Sequence, residues 1–495
     1  MFWLKLAGIL MPPLLGACLI VGGIFEISDE VASVYGITGF LLGGLVAGIF
    51  HELERWFASV SNAYGSASFA KTFDIWRKGF FGKKGLILGK AAGRYLRFNK
   101  PGHLLTIAPT RAGKGTCAVI PNLLDYPGST VTVDIKGENF AIAGRRRKHF
   151  GKVFKLAPFD LDSDHFNPMD FVRGGVDAWD DAAFLADMII IPSGAANGVF
   201  FENEAKAFLT GVILYVATQM PPERRNLSEV RRLVTLGGES FYKSVADMSR
   251  AKHPLVKRAA HSFGQKDLKL QSSILAEIQS HTLIFDSERL TRVTGTSDFA
   301  FEQLKNETVS VFLIVPPEHL SVYRPLIRLF LGLAVSAMTR NPTKPKSDVL
   351  FLVDEFPSLG RMKPLEKGLA YLAGYGVMLW LFAQDIGQLE SVYDQSATRS
   401  MIANTTLQVF GNTDYPTLEL ISKILGNRTV AVSSKSKGRR SFLLPDYDRF
   451  NHSGSETGRP LLTPDEIRCL GPDRQLIFVQ GIRPILAWKV AYFKR

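Results

Sequence analysis

Residues 107–116, IAPTRAGKGT, contain the residue types that bind the phosphates of a nucleotide. Glycines at positions 113 and 115 would let backbone N–H groups approach phosphate oxygens, and the N-terminus of a following helix would add its positive dipole. Lys114 would reach the β and γ phosphates. We therefore expect ATP to bind along seven consecutive residues: Thr110, Arg111, Ala112, Gly113, Lys114, Gly115 and Thr116.

This loop departs from the consensus G-x-x-x-x-G-K-[ST] at two positions. Ala108 stands where the first glycine belongs, and Gly115 stands where a Ser or Thr would offer its hydroxyl to Mg2+. Thr116 is the nearest replacement, and we predict that it binds Mg2+ unless water fills that position. The alternative for the whole segment is a glycine-rich turn with a solvent-exposed lysine, since short motifs also match by chance.

An acidic pair follows the five apolar residues 349–353. Asp354 and Glu355 would then lie at the carboxyl end of a buried strand, where ligands bind in open α/β sheets. We predict that Asp354 holds Mg2+ through water and that Glu355 takes a proton from the attacking water. A helix N-cap with an acidic first turn is the alternative.

Two further strand ends carry polar residues. Gln384 follows the apolar run 377–383 and is predicted to sense the γ-phosphate, as a catalytic residue beside Lys114 and Glu355; an ordinary loop residue is the alternative. Residues 134–139, DIKGEN, follow another predicted strand. Their charges suit either a place beside the nucleotide or a helix cap.

Some basic residues are candidates for contacts with a partner. An ATPase that acts in an oligomer needs a cation from its neighbour, and Arg361 or Arg399 would supply this arginine finger, with a plain surface arginine as the alternative for each. Residues 145–148, RRRK, would contact the phosphates of a polynucleotide or form a solvated helix face.

A parallel sheet is needed to bring these strand ends together. The sequence predicts a buried strand at residues 104–108, a helix at 116–124 and a second strand at 129–134. Helix-period apolar positions then dominate until strand patterns return. We therefore predict an α/β nucleotide-binding domain over residues 51–175 and 300–495, split by an inserted all-helical domain over residues 176–299.

Two uncharged apolar runs lie near the N-terminus, at residues 6–25 and 32–50. Each is about long enough to cross a ~30 Å hydrocarbon core at ~1.5 Å per residue, so residues 1–50 are predicted to form two transmembrane helices. Lys5 precedes the first run, several Lys and Arg follow the second, and none lies between them, so the bulk of the chain is predicted to lie in the cytoplasm. A cleaved signal peptide is the alternative for the first run.

The composition narrows the class of protein without identifying it. The 495-residue chain exceeds one compact core, and a formal net charge of +13 suits nucleic acid, anionic lipid or simple solubility. The three cysteines are scattered, so no disulfide framework or structural metal site is expected. Aromatic and basic residues do not alternate as they would in a single-strand groove, so no DNA-contact residues are predicted.

As a set, these motifs resemble the type IV secretion coupling proteins, the membrane-anchored ATPases of bacterial conjugation and effector export. The glycine after Lys114 is familiar in that family, so the departure at position 115 is a family trait. The resemblance is carried by the two apolar runs and by residues 108–115, 134–138, 352–360, 383–389, 404–405, 411–412 and 459–468.

The resemblance implies an architecture and a set of partners. Family members have a RecA-like P-loop NTPase domain with an inserted all-helical domain, and form hexamers around a central channel at the bacterial inner membrane. They pass effector proteins or relaxase–DNA complexes, directly or through an adaptor, to other type IV secretion components, and single-stranded DNA is a further expected partner. The chain ends soon after the strand-like residues 487–492, so the extended C-terminal tail with which some family members recruit substrates is not expected. Recruitment is therefore expected through the helical insertion or an adaptor.

We therefore expect an inner-membrane ATPase, with ATP and Mg2+ as cofactors, that recruits protein or nucleoprotein substrates and couples them to a type IV secretion channel. Two other functions are compatible with the residues. One is a membrane-bound nucleotide-binding adaptor or scaffold with little hydrolysis, because Gly115 offers no hydroxyl to the metal. The other is a double-stranded DNA translocase of the chromosome-segregation type, although no C-terminal DNA-reading domain is recognisable.

Overall fold

The computed structural model describes residues 62–191, 198–437 and 450–494. The chain falls into two compact units, Met1–Ser66 with Gly426–Pro460 and Ala67–Leu425 with Leu461–Arg495. The two runs predicted to cross a membrane, 6–25 and 32–50, lie outside the described residues.

The strands of the described residues are β1 Leu86–Ala91, β2 Arg94–Phe98, β3 His103–Ile107, β4 Thr130–Asp134, β5 Lys152–Leu156, β6 Val309–Ile314, β7 Val349–Val353, β8 Val377–Ala383, β9 Thr405–Phe410, β10 Asn427–Lys437, β11 Phe450–Pro460, β12 Arg474–Phe478 and β13 Ile485–Trp488. Eleven of them form a sheet at the centre of the larger unit, in the order β2-β1-β13-β12-β9-β3-β8-β7-β4-β6-β5. The smaller unit contains β10 and β11.

Seven neighbouring strands, from β9 to β5, are parallel. The inner strands β3, β4, β6, β7 and β8 are buried along their whole length, which is why their sequences are continuous apolar and β-branched runs rather than alternating ones. Strands β12, β13, β1 and β2 extend the sheet with antiparallel pairs. The sheet is therefore mixed, with a parallel centre.

Helices occupy the connections between these strands. They are α1 Thr72–Arg77, α2 Ile120–Asp125, α3 Glu138–Arg147, α4 Ala178–Ile189, α5 Val199–Gln219, α6 Leu227–Val234, α7 Gly238–Ser249, α8 Pro254–Gly264, α9 Leu268–Thr282, α10 Glu288–Thr294, α11 Gln303–Asn306, α12 Leu320–Arg340, α13 Lys363–Gly368, α14 Ile386–Ala403, α15 Tyr415–Leu425 and α16 Pro464–Arg468.

Between β5 and β6, every regular element of the described chain is helical. Helix α5 lies at the centre of this segment and packs on α4, α8 and α9. Its apolar residues are buried on several sides, with Leu209, Ile213 and Leu214 fully covered, as expected of a helix that is hydrophobic nearly all round. The boundaries of the inserted domain stay a prediction.

One helical segment among the described residues, Pro317–Arg340, is long and apolar enough to cross a membrane. It contains α12, and 61% of its apolar window is buried. Leu331, Leu333 and Ala334 have no exposed surface, so the apolar character of α12 is accounted for by packing within the larger unit.

The smaller unit contains a long antiparallel hairpin. Strands β10 and β11 pair from Asn427 with Pro460 to Lys437 with Phe450. Ser66 forms an isolated antiparallel bridge with Arg428, and the Thr429 hydroxyl accepts a hydrogen bond of 3.1 Å from the Tyr64 N–H. The polar sequence of this region predicts a surface loop or a hairpin, and the structure has a hairpin.

Candidate nucleotide-binding site

The predicted site residues follow three adjacent parallel strands. Strand β8 lies between β3 and β7, with Ile107 level with Ala383 and Val353 level with Leu381. The loop after β3, the acidic pair after β7 and Gln384 after β8 therefore lie at one edge of the sheet, outside the carboxyl ends of the strands.

The loop after β3 has the backbone of an anion cradle. Arg111 and Gly113 have left-handed φ angles of 64° and 93°. A Cβ atom on Gly113 would approach the Thr116 hydroxyl to 3.2 Å and the Cys117 sulfur to 3.3 Å, so glycine is favoured both by its φ angle and by the close packing. The loop runs into a wide π-helical turn, Gly115–Val119, that continues as α2.

Lys114 contacts both members of the acidic pair. Its Nζ donates to Glu355 Oε1 at 2.6 Å and lies 3.5 Å from Asp354 Oδ1. The Lys114 side chain is only 10% exposed, so this pairing takes place largely out of water, where charge interactions are stronger. The structure therefore brings together three residues that were predicted separately.

Asp354 lies partly buried beside Lys114 and a second carboxylate, Glu355. Desolvation by the surrounding protein raises the pKa of its carboxyl, the charge of Lys114 lowers it, and the charge of Glu355 raises it further. The Asp354 side chain is 26% exposed, so a solvent path to the carboxyl exists. A partly desolvated carboxylate beside a second carboxylate is a suitable ligand for Mg2+.

Gln384 is held against Glu355 and the loop. Its Nε2 donates to Glu355 Oε2 at 3.1 Å, and its Oε1 accepts from the Thr110 hydroxyl at 3.3 Å. Asp385 caps α14 by accepting from the Gln388 N–H at 2.8 Å, which fixes the start of the helix directly after Gln384. The local sequence thus determines where the amide of Gln384 lies.

Glu355 has an unusual backbone. Its φ and ψ of 47° and 42° are left-handed, a conformation that costs a residue with a Cβ about 1–2 kcal/mol. Its N–H donates to Asp354 Oδ1 at 2.9 Å, and a short 3-10 turn, Phe356–Leu359, follows. Strain of this kind is concentrated at functional sites.

The loop residues nearest the predicted metal position differ in their surroundings. The Thr116 hydroxyl donates to the Gly113 carbonyl at 3.3 Å and lies 3.6 Å from the Cys117 sulfur. A Cβ atom added to Gly115 would have no neighbour within 4 Å. The absence of a side chain at position 115 is therefore not required by packing, and the role of Thr116 as a metal ligand stays a prediction.

The Asp134 side chain binds the first turn of α3 and is close enough to Asp354 to feel its charge. Its carboxylate accepts from the Phe140 N–H at 2.9 Å and from Asn139 Nδ2 at 3.2 Å. Burial raises the pKa of Asp134, and the nearby charge of Asp354 raises it further. The position of Asp134 is thus compatible with both roles considered for residues 134–139, a helix cap and a place beside the nucleotide.

The two arginine-finger candidates differ in their surroundings. Arg361 is bound to Glu366 at 2.7 Å and to Asp394 at 3.3 Å, and its hydrogen bond to Glu366 raises its pKa above the ordinary value. Arg399 is exposed on α14. Neither contacts Lys114 or Glu355 within the described chain, so the finger stays a prediction for both.

Two residues that were not among the predicted site residues also contact the site. Lys489, just after β13, donates from Nζ to the Ala112 carbonyl at 2.9 Å and lies 4.5 Å from the ring centroid of Phe410. Asn412 donates from Nδ2 to the Gln384 carbonyl at 2.9 Å. Position 412 belonged to the motif set, but no local pattern links either residue to the loop.

The site fits a polyphosphate and a divalent cation. A lysine, a glycine at a position that a Cβ would crowd, and the start of a helix suit anionic phosphate oxygens. Two carboxylates suit Mg2+. Glu355, which contacts both Lys114 and Gln384, is placed to accept a proton.

Comparison with known proteins identifies the family. The family described as type IV secretory system conjugative DNA transfer matches residues 65–495. The chain belongs to this family. The resemblance to type IV secretion coupling proteins that the motifs predicted is thereby confirmed.

Individual relatives support this family assignment. VirD4 of Agrobacterium fabrum is 31% identical over 426 residues, covering 83% of this chain and 62% of that protein. TraG of Escherichia coli, a conjugal transfer protein, is 32% identical over 445 residues, covering 81% of this chain and 68% of that protein. The chain thus spans about two thirds of the length of these relatives.

Solved structures show the same fold. The conjugative coupling protein TrwB in its unbound form has a TM-score of 0.66 and 17% identity, covering 86% of this chain and 93% of that one. TrwB in complex with ADP and Mg2+ has a TM-score of 0.65 and 16% identity, covering 86% and 94%. The predicted α/β fold is thereby confirmed, and it is the fold of these coupling-protein structures.

Proposed function

We propose that this coupling-family chain is an ATPase of the bacterial inner membrane that recruits protein or nucleoprotein substrates and couples them to a type IV secretion channel. The observation that carries the proposal is the contact of Lys114 with Glu355 at 2.6 Å, with Gln384 bonded to the other carboxylate oxygen. A scaffold that only bound nucleotide would not need a carboxylate held by both groups.

Each residue has a distinct role in this proposal. Lys114 and the backbone of residues 110–116 bind the phosphates, and Asp354, with Thr116, holds Mg2+. Glu355 would accept the proton of the attacking water, and Gln384 holds the Glu355 carboxylate in place and would sense the γ-phosphate. ATP supplies the phosphoryl group that is transferred to water, and Mg2+ supplies positive charge.

The proposed cargo and assembly are those expected of a coupling protein in this family. A coupling protein in the family named for conjugative DNA transfer is proposed to bind other type IV secretion components and a relaxase–DNA complex or effector proteins, directly or through an adaptor. A homo-hexamer anchored by residues 1–50 would place the larger unit in the cytoplasm. The solved relative bound to ADP and Mg2+ supports the choice of cofactors.

ATP turnover by the detergent-solubilised full chain tests this proposal. Lys114→Ala should lose nucleotide binding, and Glu355→Gln should retain ATP but lose turnover by at least about 100-fold. Glu239→Gln, which changes an exposed carboxylate on α7, is the matched control and should behave as the unmodified chain. Turnover that is unaffected by Glu355→Gln would refute the proposed ATPase.

A second candidate function is a nucleotide-binding scaffold, favoured by the missing hydroxyl at Gly115. Because the space around Gly115 is open, Gly115→Thr can restore that hydroxyl without a clash. A scaffold predicts that the unmodified chain binds ATP tightly without turnover, with or without substrate, and that Gly115→Thr creates or raises turnover. Substrate-stimulated turnover in the unmodified chain would exclude this candidate.

A further inference from the structure

An exposed aromatic and basic surface is formed by the first residues of the larger unit. Helix α1 buries Ile75, which is 3% exposed and belongs to the same apolar cluster as Phe80. Phe73 and Trp76 are 62% and 59% exposed, and their ring centroids are 5.8 Å apart. Residues three positions apart share one face of a helix, so α1 presents both rings away from the core.

The segment of the chain that contains these rings carries mostly positive charges. Residues 67–101 contain nine Lys and Arg and a single acidic residue, Asp74, whose only ion pair among the described residues is a 4.0 Å contact with Arg77. We define the aromatic-basic surface by Phe73, Trp76 and the exposed cations Lys71, Arg77, Lys78, Lys83 and Lys84.

Most of these cations have no acidic partner. Within the described residues, no ion pair involves Lys71, Lys78, Lys83 or Lys84. A surface with uncompensated positive charge and exposed aromatic rings complements an anionic partner that also has an apolar layer. A lipid headgroup region meets both requirements, because Trp rings prefer the membrane–water interface and Lys and Arg attract anionic lipids.

Chain connectivity limits how far this surface can lie from the proposed membrane anchor. Lys71 follows residue 50, the end of the second apolar run, by only 21 positions. A fully extended chain spans at most ~3.6 Å per residue, so about 75 Å is the upper limit of their separation. Single-stranded DNA would also suit basic and aromatic groups, but this proximity favours lipid.

We propose that the aromatic-basic surface docks on the anionic lipid of the membrane that anchors the chain, with Phe73 and Trp76 at the interface and the cations on the headgroups. This inference rests on the proposed membrane anchor but not on ATP hydrolysis. It assigns α1 a function as a second membrane contact, which orients the larger unit relative to the bilayer.

Hydrogen exchange in lipid nanodiscs tests the proposal on the full chain. The amides of residues 72–84 should exchange about tenfold more slowly when the nanodiscs contain phosphatidylglycerol than when they contain phosphatidylcholine alone. The double substitution Lys83→Glu with Lys84→Glu should abolish this slowing, and Trp76→Ser should reduce it. The matched control, Lys257→Glu with Arg258→Glu, reverses two adjacent exposed charges on α8 and should leave it unchanged.

Three outcomes would overturn the proposal. These are equal exchange in both lipids, protection by a single-stranded oligonucleotide in detergent but not by lipid, and protection in detergent that rises with protein concentration, which would indicate a second copy on this surface. ATP turnover is measured on the same samples. Normal turnover without lipid protection refutes the docking surface alone, whereas protection without turnover refutes the proposed ATPase alone.

Discussion

The carboxylate of Glu355 connects the separate parts of the candidate site. One oxygen accepts from Lys114 and the other from Gln384. The sequence singles out these three residues as candidates, because Glu355 and Gln384 closely follow apolar runs and Lys114 lies in a glycine-rich loop. It could not predict that they touch, since Lys114 and Glu355 are 241 positions apart.

At the residue scale, Mg2+ binding should depend on pH through Asp354. Burial raises the pKa of this carboxyl, so the proton competes with Mg2+ at a higher pH than for an ordinary aspartate, whose pKa is about 3.9. Mg2+-dependent nucleotide affinity should therefore fall as the pH is lowered through the raised pKa, by up to about tenfold per pH unit. Isothermal titration calorimetry with Mg2+ at several pH values measures this.

Asp354→Asn is the control for the pH experiment. It should bind Mg2+ more weakly at neutral pH and should lack the pH-dependent component, because the amide does not titrate. If Mg2+ binding depends on pH in the same way in the unmodified chain and in the variant, the titrating group is not Asp354. Asp134 would then be a candidate, because burial also raises its pKa.

At the scale of elements, the order of the strands determines which residues meet. The apolar runs predict β3, β7 and β8 individually, but β8 is inserted between the other two by pairings over long sequence distances. His103 on β3, for example, accepts from the Leu379 N–H of β8 across 276 positions. Burial lowers the pKa of His103 to about 4, so this contact is made by a neutral imidazole at neutral pH.

Local sequence patterns also do not predict the antiparallel part of the sheet, which is formed by β12, β13, β1 and β2. Strand β13 has four residues, Ile485–Trp488, and the strand-like pattern at residues 487–492 overlaps it only partly. Its hydrogen bonds are made with β12 and β1, so its bounds depend on distant partners. Lys489 reaches the loop only because this edge exists.

Lys489 should support nucleotide binding by positioning the loop. Lys489→Met keeps the aliphatic stem beside Phe410 but removes the hydrogen bond to the Ala112 carbonyl. A charged hydrogen bond contributes about 1.5 kcal/mol, so nucleotide affinity should fall about tenfold. Fluorescent-nucleotide titration measures this, with the exposed Lys494→Met as the matched control. Equal affinity in both variants would contradict a positioning function.

At the scale of the whole molecule, the hairpin and the candidate nucleotide site belong to different compact units. All predicted site residues belong to the larger unit, whereas β10 and β11 belong to the smaller one. The sequence predicts either a long surface loop or a hairpin for residues 433–459, because they are polar and have no helical period. Its pairing with residues 62–66 was not predictable, since Tyr64 and Thr429 are 365 positions apart.

Shortening the hairpin should leave nucleotide binding intact. Replacing residues 431–456 by Asn-Gly joins Val430 to Thr457, which already pair across the strands, through a turn that favours hairpins. Nucleotide affinity should be unchanged, and the Tm should shift by less than about 3 °C, the effect of roughly 1 kcal/mol. Differential scanning fluorimetry with and without ATP measures both the Tm and nucleotide binding. Loss of the ATP-induced Tm shift would show that nucleotide binding depends on the hairpin.

The left-handed backbone at position 355 favours glycine for stability, whereas the proposed activity requires the glutamate carboxylate. Glycine adopts φ of 47° without the steric cost that a side chain incurs. A library selected for thermal stability would therefore enrich glycine at position 355, whereas a library selected for ATP turnover would retain the carboxylate. Directed evolution for a more robust protein would consequently remove its proposed catalytic base unless both properties were selected together.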